Sequence, residues 1–183
     1  MNKKLFSTLF IIVILASFSV IGCKNPNTDP GTTVTGTDIG EKYAGTWYLN
    51  ATPNLQFSPE SPSTEIANAI INLVKPSLPV QFKNDQYTIN TDGSIAIGTG
   101  ITQDKIEKNK ISKEGNNKYI ADLSDNIPPM TDPTFSITAM KESYTFTDAK
   151  TATVESYIVF NIDGKSYNLY IYKDGTFTTT QQQ

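Results

Sequence analysis

The sequence contains no histidine, no arginine and a single cysteine, Cys23, so its fifteen basic residues are all lysines. Without a second thiol no disulfide can form within the chain, and a hydrophobic core must provide the stability. The absence of histidine excludes the common Ser-His and Cys-His catalytic arrangements. Transition-metal sites built from imidazole and thiolate are excluded as well. We therefore expect no enzyme, no cofactor and no metal site.

The chain is also poor in net charge, which is −3 and becomes −5 if Lys3 and Lys4 are removed with residues 1–22. An acidic chain is a poor partner for nucleic acid. Its densest basic cluster alternates with acids, as is typical of the solvent face of a half-buried sheet: Lys105, Lys108, Lys110 and Lys113 with Glu107 and Glu114. We expect no nucleic-acid partner.

The N-terminus has the layout of a secretory signal. Lys3 and Lys4 precede a short apolar run, and the small residue Gly22 stands directly before Cys23. The stretch Val20–Cys23 resembles the lipobox of bacterial lipoproteins, with Val20 where leucine is commonest. The resemblance implies a signal peptide at 1–22, cleavage before Cys23, and acylation of its sulfur and amino group by fatty acyl chains such as palmitate.

This resemblance predicts a cell-envelope protein held on a membrane by the lipid on Cys23, since stable anchoring takes more than one acyl chain. Lys24 stands where an aspartate would signal inner-membrane retention, so we expect the outer membrane. Two alternatives are a secreted protein with an unpaired cysteine and an uncleaved membrane anchor. Residues 23–41 are rich in Pro, Gly, Thr and Asn, which predicts a flexible tether before a domain at 42–183.

One amphipathic helix is predicted after a first strand at residues 43–50. Ser61 is a candidate cap, Pro62 suits the first helical position, and Pro76 ends the pattern. The apolar residues recur at helical spacing: Ile66, Ala69, Ile70, Leu73 and Val74. The helix could cap one end of a barrel or lie against its wall.

The rest of the domain alternates like antiparallel strands. Three Asp-Gly pairs predict hairpin turns: Asp92-Gly93, Asp163-Gly164 and Asp174-Gly175. The first pair also resembles part of an EF-hand loop, but Thr99 stands where that loop needs glutamate. Nine or ten short strands in hairpin order favour a mainly β fold, an antiparallel up-and-down β-barrel that hides its edges by closure.

The first strand carries a family resemblance. Gly45-Thr46-Trp47 resembles the Gly-x-Trp signature of lipocalins and other calycins. The resemblance implies that Trp47 closes one barrel end near a basic residue from the last strand. Because the chain has no arginine, Lys173 is the candidate for that role, through a cation–π contact. Fatty-acid-binding proteins share this signature and a helix after the first strand, but they bind carboxylates through arginine and tyrosine, and this chain has no arginine.

Tyrosines form the densest aromatic group of the predicted strands: Tyr157, Tyr167, Tyr170 and Tyr172. They are candidates to line a ligand cavity, although tyrosine is also simply a favourable strand residue. The leading hypothesis is a non-enzymatic, membrane-tethered barrel that binds a small hydrophobic molecule. The alternatives are a surface interaction or antigen module with a filled barrel that binds an envelope or host protein, and a hydrolase inhibitor that uses the loop 126–130.

Overall fold

The computed structural model describes residues 38–99, 104–127 and 135–182. These residues form two α-helices, ten β-strands and three short 3-10 turns. The helices are α1 (Ile39–Tyr43) and α2 (Thr64–Val74). The strands are β1 (Gly45–Ala51), β2 (Gln56–Phe57), β3 (Phe82–Ile89), β4 (Ile95–Ile97), β5 (Asp104–Ile106), β6 (Ile111–Glu114), β7 (Lys118–Asp122), β8 (Phe135–Phe146), β9 (Thr151–Ile162) and β10 (Lys165–Thr178). In this part of the chain, neither helix has the length and apolar character needed to cross a bilayer.

The strands form one antiparallel sheet in the order β5-β4-β3-β1-β10-β9-β8-β7-β6, with β2 added to β10. Apart from the short β2 and the β5–β6 junction, strands that follow each other in sequence pair with each other, and the last strand returns to pair with the first. The sheet therefore curls into a nearly closed up-and-down barrel. This confirms the predicted mainly β, calycin- or lipocalin-like fold class with one helix after the first strand.

The barrel wall is interrupted between β5 and β6. Every pairing is antiparallel, so each strand runs opposite to its neighbours. This holds from β1 through β3 and β4 to β5, and from β1 through β10, β9, β8 and β7 to β6. Strands β5 and β6 consequently run in the same direction, joined by the turn Lys108–Lys110. One bent segment thus pairs first with β4 and then with β7. The sequence pattern predicts one continuous strand at residues 105–112, and this prediction is wrong because the turn divides the segment into two strands.

The two ends of the barrel differ, and each is named here after its helix. The α1 end holds the start of β1 and the turns β3–β4, β6–β7 and β8–β9. The α2 end holds the long β1–β3 connection that contains α2, and the turn β9–β10. The apolar side of α2 joins the barrel core through Ile70 and Val74. The helix begins at Thr64 with Ser63 at the cap position, two residues later than predicted.

Helix α1 closes its end of the barrel by close backbone packing. Ile39 is fully buried in the core. A Cβ on Gly40 would lie 2.6 Å from the backbone oxygens of both Asn90 and Thr91, so only glycine fits there without a shift of the β3–β4 turn. The packed domain therefore begins no later than Asp38, within the stretch that the sequence assigned to the tether.

The three Asp-Gly pairs adopt different structures. Asp163 and Gly164 have φ of 50° and 79° and form the predicted two-residue hairpin turn. Asp92-Gly93 lies in the turn between β3 and β4, as predicted. The prediction for Asp174-Gly175 is wrong, because both residues lie inside β10 at a register shift. A Cβ on Gly175 would lie 2.9 Å from the Val154 oxygen, so this glycine permits a close strand approach rather than a turn.

Candidate functional site

The barrel interior contains one buried acidic side chain, Glu142 of β8, among the residues that the structure describes. It is only 7% exposed. Alternation along β8 places it on the inward face together with Tyr144 and Phe146. A carboxyl group in this position must be hydrogen-bonded to offset its loss of hydration.

Three tyrosine hydroxyls surround this carboxyl group, and we call the four residues the Glu142 cluster: Glu142, Tyr87, Tyr144 and Tyr172. Tyr144 donates to Oε2 at 2.5 Å. Tyr172 donates to Oε1 at 3.1 Å. Tyr87 approaches the same Oε1 at 3.5 Å, which is the limit of a hydrogen bond and makes it the weakest of the three.

The cluster extends across the barrel. Glu142 of β8 stands opposite Ser156 of β9, which in turn stands opposite Tyr172 of β10. Tyr87 comes from β3, which lies four strands away from β8 in the sheet order and therefore on the facing wall. The contact between Tyr87 and Glu142 therefore bridges the barrel interior.

The electrostatics of the cluster are dominated by burial. Desolvation raises the pKa of Glu142 above its ordinary value, although the three tyrosine hydrogen bonds oppose this rise. Burial and the neighbouring carboxyl raise the pKa values of Tyr87, Tyr144 and Tyr172 well above 10, so the phenols keep their protons. None of the ion pairs between described residues includes Glu142. Within the described part of the chain, the carboxyl group has phenol donors around it but no counter-charge.

The interior on the α1 side of the cluster is filled with aromatic rings. Trp47 is 1% exposed, stacks on Phe177 with a centroid distance of 5.1 Å, and meets Phe146 edge-on at 5.2 Å. Its indole Nε1 donates to the Tyr43 carbonyl at 2.8 Å, which joins β1 to α1. Tyr43 in turn stacks on Phe146 at 3.7 Å. This end of the barrel is a packed aromatic plug.

The α2 side of the cluster is apolar and contains most of the partly exposed residues that pack against the core. They are Leu55, Phe57, Ile71, Leu73, Leu78, Phe82, Leu123, Ile137, Met140 and Tyr167. Fully buried side chains lie on this side as well, among them Ile70, Phe160 and Leu169. The two halves of the barrel therefore differ in that the partly exposed apolar side chains are concentrated nearer α2.

The residues of the Gly-x-Trp resemblance meet at the α1 end, but Lys173 does not join them. Gly45 starts β1 at a φ of 140° and pairs with Ile89. The Lys173 ammonium lies 4.3 Å from the centre of the Tyr170 ring and 3.0 Å from the Ser58 hydroxyl. The side chain from the last strand that covers the Trp47 indole is Phe177 instead.

The four candidate tyrosines separate into three places. Tyr172 belongs to the Glu142 cluster, because the register shift after Tyr170 turns its side chain inward. Alternation along the sequence predicts that Tyr170 and Tyr172 share a face, and this prediction is wrong because of the register shift. Tyr167 lies edge-on to Phe57 at the α2 end. Tyr157 and Tyr170 stand opposite each other at a ring distance of 5.1 Å, and alternation along β9 places Tyr157 on the outer face.

Glu142, Tyr87 and Tyr144 were missed by sequence reasoning. One signal was available in the sequence: a glutamate stands at every-second-residue spacing with apolar and aromatic residues of the same strand face. These residues are Met140, Glu142, Tyr144 and Phe146 of β8. Tyr87 gave no such signal, because its partner is on the opposite wall, 55 positions away in sequence.

Two predicted features lie outside the described residues: the lipidation site Cys23, and all of the candidate inhibitor loop beyond Ile127. Within the described ranges, no group of three or more acidic, histidine or cysteine residues is arranged to hold a metal ion. No protein-family model, curated protein or solved structure matches this chain.

Proposed function

We propose that this protein is a lipid-anchored, non-enzymatic lipoprotein of the cell envelope whose barrel binds a small, mainly apolar molecule. The ligand occupies the interior between the Glu142 cluster and α2. The observation that carries the proposal is the difference between the two halves of the barrel. The α1 end is an aromatic plug around the buried Trp47, whereas the apolar side chains that pack against the core but remain partly exposed are concentrated nearer α2. Ligand sites are generally apolar concavities with a few placed polar groups.

Binding is tested with the purified protein, freed of lipid and detergent, and the neutral apolar fluorophore N-phenylnaphthylamine. We expect saturable enhancement of the fluorophore emission in the micromolar range. Met140 lies on the inward face of β8, so Met140→Trp should fill the site and weaken binding at least about tenfold. Thr145→Trp places the same bulk on an exposed position of the same strand and should bind as the wild type does.

The absence of saturable binding by the wild type would refute the proposal, provided that the protein unfolds cooperatively. Equal binding by the wild type and Met140→Trp would move the fluorophore out of the barrel and would also contradict it. Both variants are checked by thermal unfolding, so that a loss of binding is not a loss of fold.

A second function is favoured by the aromatic plug itself. If such packing continues through the α2 half, the barrel is a filled scaffold, and the function is contact with an envelope or host protein through its surface. In that case N-phenylnaphthylamine would not bind, and Met140→Trp would be destabilising because overpacking a full core costs about 1–3 kcal/mol.

The membrane anchor is supported by the lipobox resemblance and by the short, polar connection between Cys23 and α1. Metabolic labelling with a fatty acid, together with Cys23→Ser, tests it. We expect the label and membrane association in the wild type and neither in the variant. Membrane association of an unlabelled wild type would contradict lipid anchoring.

A further inference from the structure

We infer that the Glu142 cluster binds the amino group of the ligand, so that the ligand is an amphipathic organic amine rather than a fatty acid. The inference rests on the proposed binding function and specifies its ligand class. It follows from the charge of the interior, from the hydrogen-bonding capacity of the cluster and from the position of the cluster in the barrel.

The charge of the interior favours a cation. The buried polar side chains of the described residues are Ser94, Glu142, Ser143 and Ser156, and none of them is basic. The chain has no arginine or histidine that could neutralise a buried carboxylate ligand. A fatty acid would bring a second carboxylate near Glu142, and like charges at short distance disfavour each other's ionised form. An ammonium group would supply the counter-charge that Glu142 lacks.

The hydrogen-bonding capacity of the cluster also favours a ligand group that donates hydrogen bonds and accepts none. An ionised carboxylate only accepts hydrogen bonds, so each of the three phenols uses its proton to donate to Glu142. The lone pairs that remain on the phenol and carboxylate oxygens are all acceptors. A primary ammonium has three donors and no acceptor, which makes it the complementary group.

The unequal distances indicate where the ammonium enters. Tyr144 and Tyr172 hold Glu142 at 2.5 Å and 3.1 Å, whereas Tyr87 approaches it at 3.5 Å from the facing wall. Displacing the Tyr87 contact costs least, and it leaves the carboxylate held by its two neighbours. A charge-assisted bond from ammonium to carboxylate is roughly twice as strong as a neutral one.

The position of the cluster defines the rest of the ligand. Toward α1 the ring of Trp47 and its neighbours fill the barrel, so the apolar part of the ligand must extend toward α2. Met140 is the next inward residue of β8 in that direction, and it pairs with Ile158 of β9. The fitting ligand therefore has one amino group at the end of an apolar chain or ring system.

The test compares three ligands with the same apolar chain as competitors of N-phenylnaphthylamine: dodecylamine, dodecanol and dodecanoate. We expect dodecylamine to bind about tenfold or more tightly than dodecanol, and dodecanoate to bind most weakly. Glu142→Gln should reduce the preference for amine over alcohol to about twofold or less while retaining dodecanol binding. Glu155→Gln, which changes a half-exposed acid on β9, is the matched control and should keep the wild-type order.

A second variant protects the test against a folding defect in Glu142→Gln. Tyr87→Phe keeps the carboxylate and removes the hydrogen bond that the ammonium must displace, so it should raise the amine preference several-fold. Binding of all three ligands with no preference for the amine, or tightest binding of dodecanoate, would overturn the inference and leave the proposed function intact. A wild type that binds neither the fluorophore nor any of the three ligands would overturn both.

Discussion

Replacing Glu142 by glutamine should stabilise the protein near neutral pH, and the gain should depend on pH. The change keeps the shape of the side chain and its carbonyl acceptor but removes the ionisable group. Burial raises the pKa of Glu142 above its ordinary value of 4.5, so the folded protein holds this proton more tightly than the unfolded chain does. The stability of the wild type therefore falls as pH rises from the unfolded pKa through the folded pKa.

The magnitude follows from the same linkage. Each tenfold difference in proton affinity between the folded and unfolded states corresponds to about 1.4 kcal/mol. Replacement of a buried ion pair by apolar residues of similar volume ranges from neutral to stabilising by about 1–4 kcal/mol, which sets the scale for removing a buried charge. The new amide N–H2 must find an acceptor among the phenol oxygens, which offsets part of the gain. We expect Glu142→Gln to be more stable by about 1–3 kcal/mol at pH 7 and no more stable than the wild type at pH 4.

The assay is urea unfolding followed by the emission of Trp47, the only tryptophan, at pH values between 4 and 8. The three phenols of the cluster stay protonated in this range. Asp85, whose pKa is also raised by burial, titrates in both proteins and cancels in their difference. A stability difference that is constant from pH 4 to pH 8, or a variant less stable at pH 7, would refute the reasoning about the buried carboxyl.

Two further predictions concern the seal at the α1 end. Gly40→Ala should lower the free energy of unfolding in urea by about 1–3 kcal/mol, because the new Cβ would lie 2.6 Å from two backbone oxygens. The control Glu41→Ala, on the exposed side of α1, should change stability little. Equal effects of the two substitutions would contradict the close packing at Gly40. Asp38→Asn should cost about 1–2 kcal/mol at pH 7, since the Asp38 carboxylate accepts bonds at 2.6 Å from Lys42, 2.9 Å from Lys113 and 2.5 Å from the Tyr119 hydroxyl. These partners hold the pKa of Asp38 well below its usual range, so its stabilising effect is present at neutral pH and fades as pH falls toward the folded pKa; a cost that grows in acid would contradict this assignment.

The barrel itself was predictable from local patterns. Period-two alternation placed Ile158, Phe160 and Ile162 on one face of β9, and all three are buried there. Asp163-Gly164 marked the following turn, because its two positive φ values suit an Asp-Gly pair. A series of such hairpins has few compact solutions, and closure removes the exposed edges.

The missed features depend on contacts between distant parts of the chain. Asp174-Gly175 has the same local sequence signal as the true turn, but its place inside β10 is set by the approach of β9. The register shift before Tyr172 moves that side chain from the face of Tyr170, where alternation predicts it, to the Glu142 cluster. A single-residue shift reverses every later side chain of a strand, and alternation alone cannot locate it.

The site was missed for a related reason. A glutamate within a strand usually marks the solvent face, and only the inward position of its neighbours Met140 and Tyr144 contradicts that interpretation here. The partner that crosses the barrel, Tyr87, is fixed by closure of the sheet and not by spacing. For Lys173 the family resemblance predicted a contact with Trp47 that the structure does not contain. The position of Lys173 along β10 places its ammonium group over Tyr170 instead.

The most direct test of the central claim is a methyl NMR titration of the lipid-free protein labelled at its methionines. The Met140 methyl, assigned through Met140→Leu, lies on the inward wall between the Glu142 cluster and the α2 end. We expect its resonance to shift on addition of N-phenylnaphthylamine and to saturate with the same dissociation constant as the fluorophore emission. Saturable emission with an unshifted Met140 methyl would place the ligand outside the barrel and contradict the account.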